Sequence, residues 1–469
     1  MALLTFKQGV IDPSNRLSNW SSQQDCCAWH GVSCNEQDRV FRLDLPNERQ
    51  NNSESTLRGT INLPSLLQLQ FLEYLDLSYN DFEGISLPSA AVSDSNLVRL
   101  DLSFNSRLHI HNLHWLSPLS SLESLYLSGI DLHDQTNWTH SLSSLPFLSD
   151  LSLNDCNLTN LNPYDKNVNL SSLSFLDLAE NNFNTQLPYW LFNLSNELWS
   201  LNLRNCNFIG QIPDWLGKYN SLQYLHLSHN LFHGSIPSNL ANSSSLQVLD
   251  ISFNDLSGGL PHLSIEVEIL DLAHNSFSGS LSPLLCQSEH NSRLAYLDIS
   301  SNLLTGELSD CWNNWKALSH IFLGSNKLLG EIPPTLGSLP SLESLDLHDN
   351  DLYGHIPRSF QNSSTLVSRE NSSRHLRFVF SESSKLVIQQ FQRAKPEKQN
   401  QKQLEEGYEV EYFWKSLYVG MGVGFAVGFW MVSGSIFFIR TWRHRFFRWF
   451  DGVVDRIYVI VALKFRSLH

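Results

Sequence analysis

The chain has 469 residues, of which 42% are hydrophobic and 16% are charged, and its net charge is -15 at pH 7. This length can form two or three ordinary domains, or one long repeat array with a large core. A strongly acidic surface repels phosphate groups, so these totals argue against nucleic acid as a partner. Residues 440–469, however, contain seven Arg or Lys and only two Asp. The opposite charge of this segment indicates a boundary between it and the rest of the chain.

Residues 1–39 precede the repetitive part of the chain. The repeats that follow are expected to stack into a solenoid, whose end exposes apolar surface and needs a cap. We therefore interpret this segment as an N-terminal cap. The opening run, MALLTFKQGV, is too short and lacks a cleavage site for a secretory signal peptide. Either the start of the protein lies upstream, or a later apolar segment directs its insertion into a membrane.

Residues 40–357 repeat the pattern Leu-x-x-Leu-x-Leu-x-x-Asn, mostly every 24 or 25 residues. This is the signature of the leucine-rich repeat. It predicts an α/β leucine-rich-repeat solenoid of about twelve coils plus a capping strand, with parallel strands on the concave face. The ninth residue is expected to turn inward and bond backbone groups. The twelve ninth positions are Asn80, Asn105, Ile130, Cys156, Asn181, Cys206, Asn230, Asn254, Asn275, Asn302, Asn326 and Asn350.

The third, fifth and seventh residues of each copy are expected to point away from the core onto the concave sheet. Asp fills the fifth position in seven copies, which we interpret as architectural. The exceptions include aromatic and Arg residues, the usual anchors of protein interfaces. We predict a recognition surface over repeats three to seven, with generic surface variation as the alternative. The candidate ligand-binding residues are Tyr126, Ser152, Asn202, Arg204, Tyr224, His226, Tyr296, His320 and Phe322, with Tyr126, Arg204, Tyr224 and His226 at the centre.

The second half of each repeat has the form L-x-G-x-I-P, as in residues 231–237. Here the chain resembles the plant-type leucine-rich repeats, a resemblance that implies an extracellular receptor or an inhibitor of cell-wall hydrolases. Residues 2–34 are similar to the cap that precedes such arrays in plants, which implies a disulfide between Cys27 and Cys34. Cys286 and Cys311 lie 25 residues apart, about one coil, so a second disulfide is possible between neighbouring coils.

After Pro357 the repeat pattern ends. Residues 358–407 are rich in Ser, Gln, Lys and Glu and are expected to be an irregular or disordered linker, with HLRFVF and KLVIQQF as short ordered pieces. Without a further cap, the last coil is expected to expose Leu345 and Leu347. Residues 408–415 form an acidic juxtamembrane segment.

Residues 416–439 are 24 residues without a formal charge, long enough to cross a hydrocarbon core of roughly 30 Å as a helix. The basic tail, residues 440–469, places the C-terminus in the cytosol and the first 415 residues outside. This orientation predicts a single-pass plasma membrane protein. From Tyr412 onward the sequence looks like the anchor and short tail of plant leucine-rich-repeat receptor-like proteins.

Nine sequons for N-glycosylation precede the predicted span and none follows it, in agreement with the orientation. They are Asn19, Asn51, Asn137, Asn157, Asn169, Asn193, Asn242, Asn362 and Asn371.

The predicted span has glycines at 420, 424 and 428, so Gly420, Gly424 and Gly428 share one helix face and allow close approach of another helix. The resemblance implies that this partner is an adaptor receptor kinase. In the tail, Tyr458 and Val461 match a Tyr-x-x-hydrophobic endocytic signal. An amphipathic segment lying at the membrane is the preferred interpretation of that region.

The sequence contains no kinase motifs, no H-E-x-x-H, no G-x-S-x-G and no metal-spaced Cys/His cluster. We therefore expect no enzymatic activity, no cofactor and no metal site. The favoured function is a membrane receptor-like protein that recognises an extracellular protein, peptide or glycan and signals through a partner kinase in plant defence or development. The alternatives are a binder of a cell-wall hydrolase, and a truncated non-functional or decoy member of the family.

Overall fold

The computed structural model describes residues 1–47, 55–87, 95–286, 293–362, 377–381 and 385–389. In chain order the strands are β1 (Val10–Ile11), β2 (Val32–Cys34), β3 (Val40–Asp44), β4 (Arg58–Asn62), β5 (Tyr74–Asp76), β6 (Asp81–Ser86), β7 (Arg99–Asp101), β8 (Ser124–Tyr126), β9 (Asp150–Ser152), β10 (Phe175–Asp177), β11 (Ser200–Asn202), β12 (Ile209–Gln211), β13 (Tyr224–His226), β14 (Leu231–Gly234), β15 (Val248–Asp250), β16 (Asp255–Gly258), β17 (Ile269–Asp271), β18 (Ser276–Gly279), β19 (Tyr296–Asp298), β20 (Leu303–Glu307), β21 (His320–Phe322), β22 (Lys327–Gly330), β23 (Ser344–Asp346), β24 (Asp351–Leu352), β25 (Arg377–Ser381) and β26 (Lys385–Gln389).

Helices are short, as expected for the connections of a solenoid. The α-helices are α1 (Ala2–Gln8), α2 (Leu63–Leu67), α3 (Trp138–Leu142), α4 (Ser238–Ala241) and α5 (Ser282–Leu285). The 3-10 helices are Cys26–Ala28, His114–Leu116, Tyr189–Asn193, Asp214–Lys218, Trp312–Asn314, Leu336–Ser338 and Arg358–Asn362.

The predicted parallel sheet is confirmed. Within the described residues it has fourteen strands in the order β2-β3-β5-β7-β8-β9-β10-β11-β13-β15-β17-β19-β21-β23. Only the β2–β3 pair, at the N-terminal end, is antiparallel. From β3 onward each strand pairs in register with the next coil, as Leu225 does with Leu249. Equivalent positions of successive coils therefore lie side by side, and these two leucines are completely buried.

The ninth-position asparagines bind the coils together, as the pattern predicts. The Nδ2 of Asn230 donates to the carbonyls of Leu203, Leu227 and Ser228 at 2.8, 3.0 and 3.1 Å. Its Oδ1 accepts from the amide of Phe208 at 2.8 Å. One side chain thus satisfies backbone groups of two coils that would otherwise be buried without partners.

A second sheet lies beyond the asparagines, in the order β12-β14-β16-β18-β20-β22-β24 among the described residues. Its strands contain the glycine of L-x-G-x-I-P, which in β12 and β22 is Gly210 and Gly330, both at positive φ. A residue with a Cβ adopts this conformation only with strain. The repeats around Leu132, Leu158 and Phe183 lack this glycine and contribute no strand to the sheet.

The N-terminal cap covers the first coil. The rings of Phe6 and Trp20 have centroids 6.3 Å apart, and Trp20 stacks on Trp29 at 5.3 Å. All three side chains are buried. The adjacent sheet, in the order β1-β4-β6, extends this lid. The aromatic cluster supplies the apolar closure that the first coil requires.

At the other end, the expectation that Leu345 and Leu347 are exposed is wrong, because their exposed fractions are 0% and 1%. The 3-10 helix Arg358–Asn362 inserts Phe360, which is also buried, and packs against the helix Leu336–Ser338. Strands β25 and β26 pair as an antiparallel hairpin, and β25 contacts β23. Residues 358–407 therefore include a helical turn that was not expected, and a hairpin whose strands β25 and β26 lie on the two expected ordered pieces, HLRFVF and KLVIQQF.

The chain divides into a unit of residues 1–393 and a unit of residues 394–469. The second unit lies outside the described residues, and so do the predicted juxtamembrane segment 408–415, the span 416–439 and the tail 440–469. Among the residues that are described, none of the helices has the length and apolar character needed to cross a membrane.

Candidate ligand-binding surface on the concave sheet

The fifth-position aspartates have a local structural role. Asp250 accepts a hydrogen bond from the amide of Ser252 at 3.1 Å, and Asp298 accepts from the amide of Ser300 at 2.9 Å. Asn202, in the same position of another coil, accepts from the amide of Arg204 at 3.2 Å. Such a bond to the amide two residues on stabilises the turn that ends each strand. This explains why Asp recurs at this position.

The seventh position does not face the concave surface in general. It is buried in at least five copies, which are Ser78, Ser103, Ser128, Ser228 and Ser252. The chain has begun to turn towards the core there, beneath the fifth-position carboxylate. The third position is half-buried in most copies, but Val248 is only 5% exposed. The variable surface is therefore formed mainly by the third and fifth residues.

The first patch of candidate residues lies on β8 and β9. Tyr126 is half-buried, and the guanidinium carbon of Arg99 lies 4.4 Å from its ring centroid. Burial raises the pKa of Tyr126. Its neighbour Ser152 is a poor candidate, because it is buried and its Oγ lies 2.8 Å from the Oγ of Ser128. The adjacent Tyr126 remains accessible to a ligand.

The second patch lies on β11 and β13, where register places Asn202 beside His226. The Tyr224 ring packs edge-on against Trp199, with centroids 5.9 Å apart. The Nε of Arg204 lies 3.9 Å from an Oε of Glu180. This patch combines two aromatic rings, a cation and hydrogen-bonding groups, a composition typical of interface anchors.

The third patch lies on β19 and β21 and contains Tyr296, His320 and Phe322. Their centroids are 6.1 Å apart for Tyr296 and His320, and 5.6 Å for Tyr296 and Phe322. Burial lowers the pKa of His320, which favours its neutral form. All three side chains are half-buried. They form an aromatic cluster whose outer edges remain accessible.

Fifth-position carboxylates flank the second patch: Asp177 lies on β10 before it, and Asp250 and Asp271 lie on β15 and β17 between it and the third patch. Burial raises the pKa of Asp177 to about 6. Burial, together with the charges of Asp250 and Asp298, raises the pKa of Asp271 well above its usual range. The pKa of Asp250 is instead lowered: burial opposes this shift, but the nearby His226 and hydrogen bonds from neighbouring serines outweigh it.

Sequence reasoning missed two features of this surface. Trp199, at the second position of its copy, is 38% exposed and extends the second patch. At the eighth position, His229, Phe253 and His274 form an exposed stack, with centroids 4.2 and 4.1 Å apart. The eighth residue has positive φ in these copies, which brings its ring over the next one. The recurrence of aromatic residues at the eighth position could have indicated this stack from the sequence.

Six of the seven cysteines fall into two groups, and the seventh, Cys26, is free and half-buried. The structure contains disulfides Cys27–Cys34 and Cys286–Cys311, the second joining positions 25 residues apart. Cys156 and Cys206 are buried in the ninth-position slot, and their thiols donate to carbonyls one coil back, at 3.2 and 3.0 Å. Burial raises the pKa of both thiols. They are uncharged structural residues at neutral pH.

The predicted glycosylation sites differ in accessibility. Exposed sequon asparagines are Asn137, Asn157, Asn169, Asn193 and Asn242. Asn19 is half-buried, and its amide donates to the carbonyl of Ala28 and accepts from the amide of His30. Asn51, Asn371 and the side chain of Asn362 lie outside the described residues, as do Gly420, Gly424, Gly428, Tyr458 and Val461.

The chain matches known leucine rich repeat families. A leucine rich repeat N-terminal domain matches residues 1–35. Leucine rich repeats match residues 71–91, 172–194, 197–219, 221–243, 245–264 and 266–288, and a further repeat family matches residues 292–352. The solved structure of the Arabidopsis receptor kinase HAESA, in complex with the peptide hormone IDA and the co-receptor SERK1, is similar with a TM-score of 0.57 and 27% identity. That similarity covers 79% of this chain and 69% of the HAESA chain.

The fold and these matches define the class: the chain is a leucine-rich-repeat protein with a leucine-rich-repeat N-terminal domain. Its curated relatives include plant receptor-like proteins. It is 34% identical to receptor-like protein EIX1 of Solanum lycopersicum over 49% of this chain, and 33% identical to receptor-like protein EIX2 of the same species over the same share. The matched region spans about a quarter of those relatives, 26% and 25% of their lengths.

Proposed function

We propose that this protein is a cell-surface receptor-like protein of plant defence or development. It recognises an extracellular ligand through its concave sheet and passes the signal to a partner receptor kinase. The observation that carries the proposal is that each coil has constant buried positions and variable surface positions. Leucines and the ninth-position asparagine form a constant frame, as around Asn230, while the third and fifth residues differ from coil to coil.

The known relatives support a peptide or protein ligand and a second membrane partner. HAESA, the solved structure quoted above, is described in complex with a peptide hormone and a co-receptor. The plant relatives are named receptor-like proteins. We assign this chain no enzymatic role, since the surface consists of interface-type side chains and its buried carboxylates recur as structural turn residues.

The central test changes the predicted anchors of the concave face. Replacing Tyr126, Arg204, Tyr224 and His226 with alanine should weaken binding at least tenfold, since hot-spot residues each contribute about 1–2 kcal/mol or more. Binding of the purified full chain is first mapped on an array of synthetic peptides, secreted plant proteins and cell-wall oligosaccharides. The affinity for each retained probe is then compared between the wild type and the fourfold variant.

A matched control places four alanines on the second sheet instead. Leu231, His233, Thr305 and Leu329 are exposed there and distant in register from the concave strands. This variant should bind as the wild type does. If both fourfold variants retain full affinity, the concave placement is wrong. Binding directed to a purified cell-wall hydrolase, with inhibition of its activity, would favour the alternative function.

The kinase partnership rests on the glycines of residues 416–439. Replacing Gly424 and Gly428 with leucine should remove a co-purifying receptor kinase, because the larger side chains prevent close helix contact. The matched control replaces Gly422 and Ala426, which lie four residues apart on the opposite side of a helix. Unchanged kinase recovery with the first pair would contradict this partnership. Equal loss with both pairs would show that the glycine face has no special part in it.

A further inference from the structure

Arginine occurs at the third and fifth positions of the concave strands only in the first half of the array. In the second half, the third and fifth positions of β13, β15, β17, β19, β21 and β23 contain four Asp and no Glu, Lys or Arg. In the first half, the concave arginines are paired: Arg42 contacts Asp44 at 2.6 Å, and Arg99 lies 3.7 Å from Asp101. The first half also has a net negative charge at these positions, but its arginines offset part of that charge, whereas the second half has no Lys or Arg there.

Three fifth-position carboxylates form the centre of this acidic region. Register places Asp250 beside Asp271, and Asp271 beside Asp298. Neighbouring strands lie about 4.8 Å apart, so like charges meet at close range. His226 lies 3.9 Å from Asp250, but neither Asp271 nor Asp298 has a salt bridge within the described part of the chain. This row of carboxylates, Asp250, Asp271 and Asp298, is called the acidic row.

Aromatic side chains border the acidic row on both sides. Tyr224 and Trp199 lie on the N-terminal side, and Tyr296 and Phe322 lie on the C-terminal side. From β13 to β21 there are four strand spacings, or about 19 Å. An extended peptide of about six residues at roughly 3.3 Å per residue covers that distance.

We infer that the acidic row binds a Lys or Arg of an extended peptide segment whose flanking apolar or aromatic residues contact the two aromatic borders. The inference rests on the proposed receptor function and specifies the chemistry of its ligand. A ligand cation supplies the positive charge that this sheet face lacks, and charge complementarity of this kind favours specificity and association rate.

The experiment selects binders from a phage-displayed library of random dodecapeptides on the purified full chain. The selected peptides should contain a Lys or Arg between apolar residues. Their synthetic versions should bind more weakly as salt rises from 0.05 to 0.5 M, because ions screen the attraction. Replacing the cationic residue with its neutral analogue, citrulline for Arg, should weaken binding at least tenfold.

The decisive variant changes Asp250, Asp271 and Asp298 to asparagine together. Folding should be retained, because Asn202 already makes the same turn bond in its own coil. Affinity for the basic peptides should fall at least tenfold. The matched control changes the arginine-bordered aspartates of the same position, Asp44, Asp76 and Asp101, to asparagine. It should leave the affinity within about twofold of the wild type.

Three outcomes would overturn the inference, and the first two differ in what they say of the receptor function. Selection of neutral or acidic peptides that still depend on Tyr224 and His226 would leave concave recognition standing and remove the basic ligand. Peptides whose binding is insensitive both to those residues and to the acidic row would count against concave recognition as well. Equal losses in the acidic-row variant and its matched control would also overturn the inference, as a general charge effect.

Discussion

Replacing Asn230 with alanine tests the claim that the ninth-position amide, more than the leucines alone, holds neighbouring coils together. The substitution removes a buried side chain that is 5% exposed and bonded to five backbone groups. Two of those groups keep other partners: the carbonyl of Ser228 also accepts from Asn205, and that of Leu227 also accepts from Asn254. The remaining three lose the hydrogen bond that Asn230 supplies.

These three groups are the carbonyl of Leu203 and the amides of Cys206 and Phe208. A buried backbone group without a partner costs about 1–3 kcal/mol. Three such groups give an expected destabilisation of about 3–9 kcal/mol, with the lower end applying if water enters the space left by the amide. A loss of this size is a large share of the stability of an ordinary domain, about 5–15 kcal/mol.

The assay is urea denaturation of the purified protein, followed by far-ultraviolet circular dichroism and by limited proteolysis. Asn230→Cys provides the graded comparison, because Cys206 in the preceding coil fills the same slot with one thiol donor. It should restore a bond to the carbonyl of Leu203 and leave the two amides unsatisfied, so its loss should be intermediate. A loss below about 1 kcal/mol for Asn230→Ala would refute the reasoning.

Two further predictions concern charge and covalent links. Burial raises the pKa of Asp177 to about 6 from its usual 3.8, so the folded wild type loses stability as pH rises from about 4 through 6. Asp177→Asn should therefore be about 1–3 kcal/mol more stable than the wild type at pH 7.5 and equal to it below about pH 3.5. Thermal melting at both pH values measures this difference. Changing Cys286 and Cys311 together to serine opens a 25-residue loop and should lower stability by about 3 kcal/mol, measured by denaturation without reductant. Identical pH profiles, or identical midpoints, would contradict the respective prediction.

The frame of the fold could be predicted from sequence because its rules act within one coil. The spacing of Leu222, Leu225 and Leu227 specifies a strand with inward leucines, and the distance to Asn230 specifies the turn that follows. The two cysteines in the ninth slot were also predictable, since their size and donor group fit the same space. A motif repeated twelve times averages out local ambiguity.

The end of the array was not predictable in the same way. Leu345 is buried in a core that also contains Phe360, which belongs to no repeat, and its strand β23 is contacted by β25 from a distant part of the sequence. The failure of the seventh-position rule has a similar origin. Strand alternation places that residue on the concave face, but the chain leaves the strand after the fifth position, where the carboxylate bonds the amide two residues on.

The charge of the binding surface was harder to predict from the repeat pattern than the fold was. The sequence identified Tyr224 and His226 by their departure from the consensus, and the same criterion set aside the aspartates because they follow it. Yet a residue that stabilises its own turn also presents a charge to its neighbours. Asp271 bonds the amide of Ala273 with one oxygen and lies between Asp250 and Asp298 in register. Aspartates at the same position of successive coils therefore produce a combined negative charge on the sheet. Neighbouring positive side chains decide whether a cationic ligand can bind to that charge.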